Sequence, residues 1–332
     1  MADRTIRLAT RGSPLARWQA SRVADLLAET GCRPSLVVVE SDGDRRLDVP
    51  IDRLGGQGVF VKEVQAAVAR GDADAAVHSA KDLPAAPGTS PLMLAAVPER
   101  ADPRDLLVGG ALSSLPAGAT VATGSARRRA QLANLRPDLT FTGLRGNLAT
   151  RLAAVGSSGI AAVVVAKAAA DRLDWRPPVG LRTEVLEPGI MVPQVGQGAL
   201  AVECRPDDAA TRSMLVAIDD AFAGPMVAAE RAYLAALGGG CTLPVGAYAE
   251  WSTQPVHRPE PEGRRQPEGR DAGREIRLCG MIASADGRVV LRHIHSGADP
   301  EALGREVARY LLDEAGGREL GEWGDAPRGV VA

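Results

Sequence analysis

Apolar and polar residues alternate from Thr5 to Thr10 (TIRLAT), the period of a half-buried strand. Gly12-Ser13-Pro14 follows, with Ser13 placed as a cap and Pro14 as the first helical residue, and an amphipathic stretch runs to about Ala28. A second apolar strand, Leu36 to Val39, leads into a loop over Glu40 to Leu54. Gly55-Gly56-Gln57-Gly58 then precedes a helix at about Phe60 to Arg70, and Ala73 to His78 reads as a strand. The pattern restarts after Pro98 to Arg104. Thr120–Thr123 reads as a strand, Ser125 as a cap, Ala126–Leu135 as a helix, Thr140–Leu144 as a strand, Asn147–Val155 as a helix and Ile160–Val165 as a strand. A Pro/Gly-rich passage, Glu187 to Gly198, ends this block before a short strand, Ala199 to Cys204. Strands alternating with helices predict parallel or mixed sheets covered by helices. Two such blocks joined by two proline-containing crossings predict a pair of α/β lobes with a ligand cleft between them, the second crossing returning the chain to the first lobe.

A third unit opens with a helix over Pro225 to Leu237. It continues with strands at Leu243–Glu250, Glu275–Ala283 and Val289–His295 and closes with a helix near Pro300 to Leu312, a small α+β domain. Trp251 to Arg274 is rich in Pro, Gly, Arg and Glu and too poor in apolar residues to pack, so a mobile surface insertion is expected there. These divisions give a first lobe over 1–98 and 199–217, a second over 104–192, and a carboxy-terminal domain over 222–332 with the insertion at 251–274. A length of 332 residues suits two or three such domains.

Composition narrows the function classes. With 45% hydrophobic and 24% charged residues the chain is of ordinary globular make-up. Lys+Arg number 39 against Asp+Glu 41, so no overall field points to nucleic acid or an anionic membrane as partner, and any basic site must be local. The amino terminus, charged at Asp3, Arg4, Arg7 and Arg11, is expected to hold no secretory signal, and the longest apolar run, Ile160 to Ala170, is broken by Lys167. Four scattered cysteines without CxxC spacing suggest neither zinc nor a disulfide framework, and a reducing cytoplasm is expected.

Against that neutral background the arginines stand out. Ser13 opens a helix behind Arg11 and Gly12; Ser125 does so behind Gly124 and is followed by Arg127, Arg128 and Arg129. Helix starts leave amide donors unpaired and arginine adds bidentate ones, so two such places on two lobes could grip one polyanion. Arg145 in LRGN, Arg151 and Arg172 extend the set; the competing reading is plain capping and solvated arginines. Val77 to Pro84 ends an apolar strand in Lys81 and Asp82, which makes Asp82 a candidate catalytic carboxylate or else part of a charged turn. His78 reads better as a satisfied strand residue. His293 and His295 share a strand face, weak grounds for a metal. Cys241, in GGGCTLP, is uncovered by its glycines and is either a reactive thiol or a small apolar residue; Cys32, Cys204 and Cys279 fit the latter better.

Taken together, LATRGSPLARWQA, GGQGVFVKE, AVHSAKDLP, ATGSARRRAQL, LRGNLATRL, VPQVGQGAL and GGGCTLP closely resemble, in order, the porphobilinogen deaminase (hydroxymethylbilane synthase) family of tetrapyrrole biosynthesis. The resemblance covers residues 5 to about 250 and implies two lobes like those of periplasmic binding proteins, with a third domain presenting Cys241 to their cleft. It implies a transferase that joins four porphobilinogens head to tail with loss of ammonia. They are added to a dipyrromethane cofactor held by a thioether at Cys241, and water then releases linear hydroxymethylbilane. Asp82 takes the position of the carboxylate that handles each reacting pyrrole. Arg11, Ser13, Lys81, Ser125, Arg127, Arg128, Arg145, Arg151 and Arg172 take those that bind acetate and propionate groups. A lid loop would include Asp44, Gln57 and Phe60. The family also implies a monomer with no metal. Many relatives carry lysine at Gln57 and Thr-Arg at Ser41-Asp42, so the loop is less basic here, whereas Asp44 keeps an acidic position.

Overall fold

The computed structural model describes residues 5–40, 61–86, 88, 90–239, 243–252 and 274–320. The expected lid residues Asp44, Gln57 and Phe60, the cysteine Cys241 and the interior of the insertion lie outside them.

The first sheet takes β1 (Thr5–Arg11), β2 (Arg33–Val39), β3 (Ala75–Ser79), β4 (Met93–Ala96) and β10 (Leu200–Cys204) in the order β2-β1-β3-β10-β4. β2, β1 and β3 run parallel, and β10 is antiparallel to both β3 and β4. The second sheet repeats the plan with β5 (Asp105–Val108), β6 (Thr120–Ala122), β7 (Thr140–Thr142), β8 (Ile160–Ala166) and β9 (Thr183–Leu186), ordered β7-β6-β8-β5-β9. Its antiparallel strand is β5, beside β8 and β9. In each sheet the antiparallel strand is the first one entered after a crossing from the other. Two mixed sheets are thereby laced together by the segments at 97–104 and 187–199. The third sheet is the antiparallel β11 (Val245–Trp251), β12 (Ile276–Ala283) and β13 (Val290–Gly297).

Local chemistry explains the elements around the site. α1 (Pro14–Glu29) starts where Ser13 Oγ accepts from Ala16 N at 3.3 Å, with proline at its head. Its buried face, Gln19, Ala20, Val23 and Leu27, recurs at helical spacing and covers Ile6, Leu8, Val77 and Val202 of the sheet. Each fully buried side chain of that size contributes about 1.5–3 kcal/mol. α2 (Lys62–Ala69) covers the opposite face through Val64 and Val68. In the second lobe α3 (Ala126–Leu135), α4 (Leu148–Ala153) and α5 (Lys167–Arg172) follow β6, β7 and β8, and α6 (Ala209–Leu215) follows β10. The sequence pattern passes over β4, β5, β9, α5 and α6. These are runs of four to seven residues, too short for a period to show, and neighbouring strands or packing fix their state.

In the third domain α7 (Ala223–Ala236) and α8 (Pro300–Arg309) pack over the antiparallel sheet around Tyr233, Leu278 and Val307, all 0% exposed. The expected terminal helix ends three residues early as α-helix and continues as a π turn, Tyr310–Glu314. Glu230 of α7, also 0% exposed, ties the pieces together. It accepts from Arg100 Nη1 at 2.8 Å and Nη2 at 3.1 Å on the first crossing, from Gly196 N at 2.7 Å on the second, and from Ala249 N at 2.9 Å in β11. Among the described residues no helix is long and apolar enough to cross a membrane.

Candidate active site

The adjacent parallel strands β2, β1 and β3 of the first lobe and β7, β6 and β8 of the second each end at one edge of their sheet, where α/β sheets place their ligands, and most of the polar motifs gather there. In the first lobe β1 ends at Arg11, ahead of Ser13, and β3 passes into the 3₁₀ turn Ala80–Asp82 that carries Lys81 and Asp82. Gln19 Nε2 donates to Ser79 Oγ at 2.8 Å, tying α1 to the end of β3. In the second lobe β6 leads to Ser125, whose Oγ accepts from Arg128 N at 3.4 Å, and β7 leads to the exposed Arg145. Arg151 Nε donates to Gly146 O at 2.9 Å. Both serines are therefore helix caps, and each hydroxyl proton can still be given to a ligand.

Arg127 and Arg128, 3% and 6% exposed, turn inward and share one carboxylate, Asp105, which is 0% exposed. Arg127 Nη1 donates to Asp105 Oδ2 at 2.7 Å and to Val192 O at 2.7 Å. Arg128 donates to Asp105 Oδ1 from Nε at 3.0 Å and Nη2 at 2.7 Å, and from Nη1 to Val164 O at 2.9 Å. Burial would raise the Asp105 carboxyl, but the two guanidiniums outweigh it and hold it far below the usual range. Arg127 keeps Nε and Nη2 buried without a hydrogen-bond partner among the described residues. Buried donors of a cation left open in this way are costly unless a ligand takes them.

The first lobe's turn faces this pair. Burial pushes the Lys81 ammonium down to about 8; Asp82 opposes the fall, Arg128 and Arg127 deepen it, and Asp105 offsets them. Arg151 is likewise lowered, first by burial, then by Arg128 and Arg145, with Asp82 opposing. Asp82 and Arg128 thus act on both Lys81 and Arg151, with Arg127 acting on the first and Arg145 on the second. Arg172 is engaged across the lobes instead: its guanidinium sits 5.6 Å over the Trp18 ring of α1, and Nη2 donates to Gly198 O at 2.6 Å. Burial lowers it to about 10.

Cys241 lies outside the described residues, but the strand that follows it begins against the arginine pair. A Cβ on Gly246 would stand 2.8 Å from Pro193 O and 3.2 Å from Arg127 Cδ, so only glycine lets β11 approach so closely. His78 is a packed strand residue, its Nε2 3.3 Å from Glu203 Oε2, and Gln65 and Ser90 donate to the same carboxylate. His293 stacks on Tyr310 with ring centroids 3.7 Å apart. Among the described residues no group of three or more His, Cys, Asp or Glu could hold a metal ion.

Sequence reasoning missed Asp105, Gln197 and Glu230. Asp105 had one signal, a carboxylate heading the apolar run DLLV. Gln197 stood in a quoted motif, overshadowed by its flanking glycines, and Glu230 is one more polar residue on a helix.

Fold and site together define a two-lobed α/β protein with a cation-rich junction built around two carboxylates, with a third domain leaning on it. Residues 6–213 match the family model described as porphobilinogen deaminase, dipyromethane cofactor binding domain, and residues 225–313 match porphobilinogen deaminase, C-terminal domain. The chain belongs to the porphobilinogen deaminase family. It is 49% identical over 324 residues to porphobilinogen deaminase of Acidothermus cellulolyticus, covering 95% of this chain and 90% of that one. It is 42% identical over 325 residues to that of Xanthomonas axonopodis pv. citri, covering 96% and 99%. A periplasmic substrate-binding protein of an ABC transporter from Coxiella burnetii superposes with a TM-score of 0.40 at 15% identity, over 68% of this chain and 96% of that one.

Proposed function

We propose that this chain is a hydroxymethylbilane synthase, a transferase of porphyrin and haem biosynthesis that condenses four porphobilinogens on a covalent dipyrromethane primer and then releases the linear product by hydrolysis. The observation that carries the reading is Arg127, held by Asp105 beside Lys81 and Asp82 with two buried donors open among the described residues. Every pyrrole of substrate and cofactor bears an acetate and a propionate, and oxygens of that kind fit those donors. A dipyrromethane, with four carboxylates, suits a wall of five cations, Lys81, Arg127, Arg128, Arg145 and Arg151.

When bound, the cofactor supplies a pyrrole carbon to which the first substrate is joined; it would be attached at Cys241. Arg11, Ser13, Lys81, Ser125, Arg127, Arg128, Arg145 and Arg151 bind and orient carboxylates, while Arg172, on Trp18 and Gly198 O, holds the crossing beside them. Asp82, on a turn fixed at the end of β3, faces the ring that turns cationic as ammonia leaves. Asp105 is kept anionic by its arginines and holds their guanidiniums in one orientation. The reading includes a monomer working on a small charged substrate in the cytoplasm.

The test is the intact mass of the purified protein. A covalent excess of two pyrrole units is expected, absent in Cys241→Ser; an unmodified and fully active Cys241 would overturn the reading. A second expectation concerns pH. Lys81 binds carboxylates only as the ammonium, so substrate affinity falls as pH rises through about 8. Lys81→Arg, permanently charged, shifts that fall upward, and KM measured across a pH series in both proteins checks it. The sign for stability is the reverse. Because the folded value lies below the ordinary 10.5, the unfolded chain holds the extra proton between the two, and stability rises with pH across that window.

A further inference from the structure

Three consecutive residues of the second crossing are each held by a different part of the molecule. Gly196, at φ +71°, lies so close to the Asp82 turn that a Cβ there would stand 3.0 Å from both Ala80 C and Lys81 N, and its N–H goes to Glu230 of the third domain. Gln197, 1% exposed, donates from Nε2 to Asp105 Oδ1 at 3.0 Å and to Pro103 O at 2.7 Å, and its carbonyl accepts from Arg100 Nε at 3.0 Å. Gly198 O accepts from Arg172 Nη2 at 2.6 Å and from Ala101 N at 3.1 Å. The first of these touches the catalytic turn, the second the carboxylate that aims two arginines, and the third joins the two crossings.

We propose that Gln197 is a positioning residue that couples the interlobe crossing to the Arg127–Arg128 pair through Asp105, and that this link governs the later additions of a growing chain more than the first. The proposal rests on the function proposed above. A cleft of one fixed shape fits one chain length, whereas here the bound chain gains two carboxylates at each of four additions. Any change of angle between the lobes has to pass through the two crossings, since they are the chain's joints between the sheets. At Gly196 no side chain cushions the crossing from Ala80 and Lys81, so a displacement of its backbone reaches the Lys81–Asp82 turn by direct contact. At Gln197 the same displacement pulls on Asp105 Oδ1, the atom that also holds Arg128 Nε and Nη2. The reacting carboxylate and the arginine grip therefore shift together. A neutral amide suits the role: it donates to a buried carboxylate, where a second carboxylate would repel it.

Gln197→Met keeps the volume and removes the donor. Wild type and variant are each given limiting porphobilinogen, and the covalent species are separated by intact mass. The variant is expected to carry its primer and to make the first addition within about twofold of wild type, with the third and fourth slowed about tenfold, the loss typical of one hydrogen bond to a charged group. Short chains then accumulate. Equal slowing of every addition, or a mass ladder identical to wild type, overturns the proposal. If Gln197→Met does not fold, Asp105→Glu lengthens the same link while keeping its charge, and an evenly populated ladder in that variant overturns it equally. A wild-type protein with no ladder would instead refute the synthase reading, so the two failures are separable.

Discussion

Replacing Asp82 by asparagine is expected to leave the fold and the thioether adduct in place while turnover falls by about three decades. Asparagine matches the shape of aspartate and keeps hydrogen-bonding atoms on the Ala80–Asp82 turn, so little beyond the charge is removed. That charge matters most as ammonia departs and the pyrrole turns cationic. An ion pair at about 4 Å is worth on the order of 4 kcal/mol at an effective dielectric near 20, and almost all of it appears in the transition state. Lys81 and Arg151, which lie in the field of Asp82, are cations and cannot stabilise another one themselves. Single-turnover rates on primed protein, with the mass of the adduct as control, check the prediction. A wild-type rate in Asp82→Asn would remove this carboxylate from the chemistry.

The second large effect belongs to Asp105. Asp105→Ala leaves Arg127 and Arg128 buried without their counter-charge, and breaking a buried pair from one side costs about 3–5 kcal/mol. The loss is expected to be smaller in the primed protein than in the unprimed one, because the cofactor's carboxylates would return negative charge to the same guanidiniums. Urea midpoints of both forms decide it, and an equal loss in the two would show that the arginine pair does not serve the cofactor. The carboxyl's depressed folded value sets the pH window. Its stabilisation is fully present above the ordinary carboxylate value near 4 and is lost only as pH falls below that toward the folded value.

Much of this was legible in the residues. Capping serines, strand alternation and the spacing of glycines are local signals, and they located β1, α1, β6, α3 and the turn that holds Asp82. Ordered motifs carried the family, and with it the roles expected of Asp82 and Cys241. Short elements were not legible. β5 is four residues long and is a strand because β8 and β9 pair with it on either side, a fact with no trace in its own period. The arginines were legible as a set but not individually. Arg127 and Arg128 read as surface donors at a helix start, yet both turn inward to a carboxylate 22 and 23 residues back along the chain.

The sequence by itself determined the local elements, the inventory of cations, and the placement of Lys81 and Asp82 at the end of an apolar strand, because each depends on neighbours within a few residues. Only the tertiary structure decided which cations are paired and which keep donors open. It alone showed that Asp105 holds two of them, and that Glu230 and Gln197 bind the crossings to the site. Those facts depend on burial and on contacts between segments as much as 130 residues apart. There, desolvation sets what a charge costs, and a side chain's own neighbours in the chain carry no record of it.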